Sequence, residues 1–261
     1  MNLIKLLSTD FFTGQILFSG KGLLDILWFL LRNPRKKSLR LATLISQLIP
    51  RYTKVSVKRL INLHRLTQKA NKLNLPGDIV ECGVWNGGSA AMMGVADRDD
   101  ETSGKVRKLW LFDSFRGLPP PSSKDGKQAT ETYFQGWCHG ETEKVERVFR
   151  RFRLSLQHVN IVPGWFDETL QTADLQTIAI LHIDADWYAS VKIVLETLYD
   201  KVVEGGFVVL DDYWRWPGCR EAVTDYLKEH QIQGVVLKKA DLHGVYFQKP
   251  IESREVIGRP V

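Results

Sequence analysis

The stretch Ile178-Ala-Ile-Leu-His-Ile-Asp-Ala-Asp-Trp-Tyr188, with its sequel Gly205-Gly-Phe-Val-Val-Leu-Asp-Asp-Tyr213, decides how the chain is read. Each is an apolar run that stops on paired carboxylates. Four apolar or β-branched residues in a row read as a strand buried on both faces, and in an open parallel sheet such strands deliver ligand-binding residues at their carboxyl ends. Asp184, Asp186, Asp211 and Asp212 are therefore expected at one rim. Four gathered acids repel one another unless a cation or protonation relieves them, so the pattern points to a divalent metal. His182, inside the first run, is read as a core residue.

Outward from these strands the pattern repeats. Val191, Val194, Leu195, Leu198 and Val202 form the inner face of a helix joining the two runs. Upstream, Asp78-Ile-Val-Glu-Cys-Gly-Val-Trp-Asn-Gly-Gly-Ser-Ala-Ala-Met-Met supplies a strand, a glycine turn and a helix, the nucleotide-binding end of a doubly wound sheet. Its glycines fall at Gly83, Gly87 and Gly88, and Trp85 stands where a dinucleotide fingerprint needs its second glycine. A pyrophosphate ligand is disfavoured. Glu81 beside the turn points the same way, since an acid near a helix amino end suits a cationic or hydroxyl-rich ligand. The second strand begins at Lys108 and ends on Asp113, placed to accept both hydroxyls of an adenosine ribose; the competing role is an Asx turn.

The stretch from Pro119 to Gly140 is rich in Pro, Ser, Lys, Gly and Thr, lacks periodicity and exceeds the usual connection of about 4–6 residues, so it reads as a mobile lid. Val145, Val148, Phe149 and Phe152 mark a helix, and Val159-Asn-Ile-Val-Pro163 a third strand. After it, Trp165 and Phe166 either flank an adenine ring or pack. A helix from about Gly218 to Glu229 and short strands near Val235 and Val245 complete a seven-stranded, mostly parallel α/β sheet.

Composition sets the limits. With 261 residues, 44% hydrophobic and 25% charged, the chain suits one sizeable α/β domain plus an extension and is neither disordered nor fibrous. Cys82, Cys138 and Cys219 give no disulfide framework and no CxxC zinc site, so a reducing, cytoplasmic setting is expected. The net charge of +6 gathers in Arg32, Arg35, Lys36, Lys37 and Arg40 and in Arg147, Arg150, Arg151 and Arg153. No base-stacking aromatics interleave with them, so they read as solvated faces and no nucleic-acid partner is expected.

Leu23-Leu-Asp-Ile-Leu-Trp-Phe-Leu-Leu31 is too short to span a membrane, which takes about 20 apolar residues, and no signal-peptide cleavage pattern follows. It reads as an amphipathic or buried helix that docks on the main domain or on a second subunit of a homo-oligomer. Its basic tail is compatible with peripheral membrane contact. Residues 1–53 are thus an N-terminal helical extension, for lid or dimer contacts, and 54–261 the main domain. Val57, Leu60, Ile61, Leu63, Leu66, Ala70 and Leu73 recur mostly at helical spacing and give a lid or packing helix that ends at Pro76-Gly77.

Five segments together carry a family resemblance: GDIVECGVWNGGSA, LFDSFRGLPPP, VPGWFDETL, LHIDADWYASV and GGFVVLDDYWRWPGCREAV. In this order they resemble the macrocin O-methyltransferases, which methylate sugar hydroxyls of macrolides and aminocoumarins. The resemblance runs from about Val57 to Gln248 and leaves the segment before Lys54 outside. It implies a class I methyltransferase (Rossmann-like) fold and magnesium-assisted O-methyl transfer from S-adenosylmethionine to a small sugar or other diol-bearing acceptor. By position, Glu81, Gly83, Gly87, Ser89, Asp113 and Ser114 fall on cofactor motifs; Trp165 and Phe166 are cofactor candidates on the residue reading given above, not on the resemblance. Asp184, Asp211 and Asp212 fall on the metal ligands, with Asp184 also the general base. Asp186 is read as support behind the ligands, and Ala185 replaces a glycine common in the family.

Three carboxylates without a His/Cys cluster favour magnesium over zinc. Trp214 and Trp216, beside Arg215, either stack on a sugar or pack. Two other classes stay open: a nicotinamide-dependent reductase, against which the glycine spacing argues, and a non-catalytic scaffold that keeps the fold.

Overall fold

The computed structural model describes residues 24–32, 36–99 and 106–251. Its strands are β1 (Asp78–Cys82), β2 (Leu109–Asp113), β3 (Val159–Pro163), β4 (Ile178–Ile183), β5 (Val202–Leu210), β6 (Lys238–Lys239) and β7 (Val245–Gln248). They form one sheet in the order β3-β2-β1-β4-β5-β7-β6. The first five are mutually parallel; β7 runs antiparallel to β5, and β6 antiparallel to β7. From β1 the chain builds outward one way through β2 and β3, then resumes on the other side with β4. A crevice opens where strand order reverses, at the carboxyl ends of β1 and β4.

Alternation along the strands explains the two layers. Leu109 and Leu111 of β2 enter the cluster on one face, Trp110 and Phe112 that on the other. The first face is covered by helices Val57–Lys72, Gly88–Arg98 and Thr142–Arg151, the second by Tyr188–Leu198 and Pro217–Glu229. All six residues of β4 are buried, matching the unbroken apolar run. Each fully buried Leu, Ile or Val side chain contributes about 1.5–3 kcal/mol.

Helix Val57–Lys72 starts where Ser56 Oγ accepts from Arg59 N (3.3 Å), a cap contributing about 1 kcal/mol. Leu60, Leu63 and Ala70 are buried on its inner side, while Leu73, which caps the end, is half exposed. Upstream, helices 24–32 and Lys36–Leu48 send Phe29, Leu44, Ile45 and Leu48 into the same cluster. Helix 24–32 also presents Leu24, Leu27, Trp28 and Leu31 outward. The first 23 residues, Arg35 and the side chains of Lys36 and Lys37 lie outside the described residues.

Three expectations need correction. Val202, expected on the inner face of the helix between the two apolar runs, begins β5 instead, since that helix ends at Leu198. The segment between Pro119 and Gly140 is not structureless: a 3-10 turn at Ser123–Asp125 leads into helix Gly126–Thr132. That helix buries only Ala129, so it leaves no apolar period to detect. Asp125 wires the segment to the core: its Oδ2 accepts from Ser122 N and its Oδ1 from Tyr188 N (2.6 Å). The edge strand expected near Val235 lies at Lys238–Lys239 instead, because Val235 packs beside the core without pairing and two exposed lysines meet β7.

Candidate active site

The crevice holds a cavity of about 520 Å³. One wall is the turn after β1. Gly83 has φ +92°, and a Cβ there would stand 1.8 Å from Asp184 O, so only glycine lets the end of β1 lie against the end of β4. Gly87, also at positive φ, caps helix Gly88–Arg98 behind the turn and does not line the cavity; buried Ser89 does.

Asp113, at the end of β2, is spent largely on backbone. Its Oδ2 accepts from Val84 N (2.7 Å) and Trp85 N (2.8 Å), and its Oδ1 from Phe115 N (2.7 Å). The Asx turn and the clamp on the glycine turn are both present, and the carboxylate still borders the cavity. Burial pushes its carboxyl above the usual range, against the three amides that stabilise the anion. The Ser114 hydroxyl donates to Gly117 O (2.8 Å) and faces the same cavity, which Trp165 and Phe166 also line from the end of the adjoining β3.

Opposite, the acids of β4 and β5 converge. Asp184, Asp211 and Asp212 each place a carboxylate oxygen within 4.8 Å of the others. Asp211 is 4% and Asp212 8% exposed, whereas Asp184 is only half-buried and is the member of the three most open to the cavity. Burial, then the charges of Asp211, Asp212 and Asp186, lift the Asp184 carboxyl well above its ordinary value. Burial and the charges of Asp186 and Asp211 do the same to Asp212. Asp186 stands apart from the trio: its Oδ1 accepts from Trp216 Nε1 (2.7 Å), and its backbone is left-handed at φ +53°. Burial raises its carboxyl to about 6, against the Trp216 bond.

Trp216 is buried edge-on against Trp137 and Trp187, so it packs and orients Asp186. Trp214 points away, beside Arg220 and Lys239. Neither borders the cavity.

Glu81 does not border it either. Fully buried, it faces its register partner His182 across β1 and β4, with Oε1 2.8 Å from Nδ1. His182 is the expected core residue in burial but not in company, because Nε2 looks toward Asp211 Oδ1 at 3.7 Å. Burial alone would lower the imidazole; the Asp211 and Glu81 carboxylates on either side of it raise it to about 9.

Arg59 went unnoticed in the sequence. It reaches from helix Val57–Lys72 into the site, where Nη1 donates to Asp211 O (2.9 Å) and to Asp211 Oδ2, and Nε pairs with Asp241 Oδ2 at 3.1 Å. Asp241 is held in turn by the Ser56 hydroxyl (2.6 Å) and by the amides of His243 and Gly244. Lys54 also borders the cavity, 3.4 Å from Cys138 Sγ and over the Trp85 ring. Nothing in local spacing marks either cation; only their distant partners do.

The oxygen-only donor set at β4 and β5 suits a hard divalent cation such as magnesium. Asp211 Oδ1 is a buried atom with no protein partner, a further sign that the group is built to meet something else.

A seven-stranded sheet with one reversed strand, a glycine turn at the switch point and acids on the neighbouring strand ends define a class I methyltransferase. The chain belongs to the macrocin O-methyltransferase (TylF) family, whose model matches residues 46–249. It is therefore an O-methyltransferase. Demethyldecarbamoylnovobiocin O-methyltransferase of Streptomyces niveus is 36% identical over 203 residues, covering 76% of each chain. Mycinamicin III 3''-O-methyltransferase of Micromonospora griseorubida is 33% identical over 204 residues, covering 76% of this chain and 78% of its own. Among solved structures, the O-methyltransferase NovP superposes with a TM-score of 0.68 at 35% identity, over 77% of this chain and 83% of that one. The calicheamicin methyltransferase CalS11, 19% identical with a TM-score of 0.61 over 88% of this chain and 91% of its own, shares the fold.

Proposed function

We propose that this protein transfers a methyl group from S-adenosylmethionine to a hydroxyl of a sugar or other small diol, with Asp184, Asp211 and Asp212 holding a magnesium ion. The observation that carries this reading is that the three carboxylates converge in the same cavity as the Gly83 turn, Asp113 and Trp165. The two relatives above are named for O-methylation of demethyldecarbamoylnovobiocin and of mycinamicin III at its 3'' position. Magnesium, when bound, supplies Lewis acidity that makes an acceptor hydroxyl more acidic. Gly83, Ser89, Asp113, Ser114, Trp165 and Phe166 form the donor's wall, with Gly87 shaping the turn behind it.

The reaction joins acceptor oxygen to the methyl carbon and breaks the carbon–sulfur bond, whose electron pair stays on sulfur. The hydroxyl proton goes to Asp184, the most exposed carboxylate of the trio. Asp186, fixed by Trp216, supports the acids from the side. The free thiols of Cys82, Cys138 and Cys219 suit a reducing compartment such as the cytoplasm. Among the described residues no helix is long and apolar enough to cross a membrane.

A screen of diol-bearing acceptors with labelled donor tests the proposal. Label transfer that needs magnesium and stops in EDTA is expected. Full turnover in chelator would remove the metal from the reaction, and tight NADPH affinity without S-adenosylmethionine affinity would revive the reductase.

A further inference from the structure

Six buried side-chain polar atoms among the described residues lack a hydrogen-bond partner, and three of them lie on one path: Glu81 Oε2, His182 Nε2 and Asp211 Oδ1. A buried polar atom left unpaired costs about 1–3 kcal/mol, so two that face each other, His182 Nε2 and Asp211 Oδ1, mark a contact one small movement from being made. Glu81 and His182 are register partners on β1 and β4, and both are fully buried. The Glu81 contact at 2.8 Å fixes the imidazole plane and aims its far nitrogen at β5. There Asp211 Oδ1 waits at 3.7 Å, too far for a hydrogen bond, while Arg59 holds the other oxygen of the same carboxylate.

We propose that Glu81 and His182 are positioning residues for Asp211: His182 Nε2 closes on Asp211 Oδ1 when the carboxylate turns to face a divalent cation, and Glu81 keeps the imidazole aimed. This rests on the metal-binding reading above and departs from the cofactor role that position alone gave Glu81. A carboxylate has about four lone-pair sites, so His182, Arg59 and a cation share Asp211 without displacing one another. Partners behind a metal ligand typically hold 10–100-fold of its cation affinity.

The test is Mn2+ affinity by calorimetry at one pH, with S-adenosylhomocysteine affinity and Tm as measures of fold. H182N keeps an amide near Nδ1 and loses the reach to Asp211; H182Q places an amide near Nε2 and restores it. The expected result is a drop of about 10–100-fold in Mn2+ affinity for H182N, partial recovery in H182Q and a drop in the near-isosteric E81Q, with S-adenosylhomocysteine affinity held. Wild-type Mn2+ affinity in E81Q and in a folded H182N overturns this inference alone. Loss of S-adenosylhomocysteine affinity in E81Q with Mn2+ binding intact also overturns it, and returns Glu81 to the cofactor. Absence of Mn2+ binding by the wild-type protein overturns the metal reading and this inference together.

Discussion

Asp113 on β2 and Asp184 beyond β4 end similar apolar runs, face one cavity and have opposite fates. Asp113 is surrounded by donors: three backbone amides consume most of its capacity and it holds the glycine turn in place. Asp184 is surrounded by acids, with Asp211, Asp212 and Asp186 all raising its carboxyl and Arg59 opposing them. An acid at a strand end is thus a structural clamp when the chain satisfies it and a reactive group when the chain declines to. The lesson is that the partners, not the position, assign the role.

The largest expected effect breaks the reactive side. If Asp184 is the proton acceptor proposed above, Asp184→Asn should lower methyl transfer by about 10²–10⁴-fold while donor binding persists, since Asp113 is left alone. Single-turnover rates and S-adenosylhomocysteine affinity measure the two separately, and retained turnover would strip Asp184 of its role. Asp113→Ala attacks the other side. With a charged acceptor lost to three amides, about 3 kcal/mol of stability should go, visible as a lower midpoint in urea and weaker donor binding. Unchanged stability would mean that the clamp is decorative.

A cation should tell the two sides apart without touching donor binding. Magnesium at 100 times its Kd should stabilise the wild type by about 2.7 kcal/mol in thermal melts. Asp212→Asn should lose most of that increment, and Asp113→Asn should keep it. The smallest effect sharpens the comparison by removing a background. Burial lowers His64 to about 4, with Asp99 opposing and Arg65 assisting. Its folded value lies below the unfolded 6.5, so the stability it carries is complete above pH 6.5 and is lost as pH falls toward 4. Given its partial exposure, that loss is about 2 kcal/mol, and His64→Gln should flatten the urea midpoint over this window.

The parts of this site that could be read from sequence are those where a local pattern and a strand end coincide. β1 to β5 announce themselves because strands buried on both faces must be apolar throughout, and the acids stand out by ending them. The trio of Asp184, Asp211 and Asp212 was legible with them, since its members lie one or two residues past the ends of β4 and β5. Arg59 was invisible because its meaning lies 152 residues away at Asp211, and among lysines and arginines on a helix it looks like any solvated cation. Glu81 was legible beside the turn, but its neighbour was not: His182, its register partner on β4, lies 101 residues away in the chain and holds its carboxylate on one face of the sheet. Helix Gly126–Thr132 escaped because only Ala129 packs inward.

Arg59 has a consequence for how such a protein can change over generations. It joins Asp211 beyond β5, Asp241 in the turn before β7 and, through Asp241, the Ser56 cap of its own helix. Removing one partner of a buried ion pair strands the others at about 3–5 kcal/mol, a large share of a domain's stability. Substitutions at 59 and 241 are therefore expected as a pair in descendants that still fold.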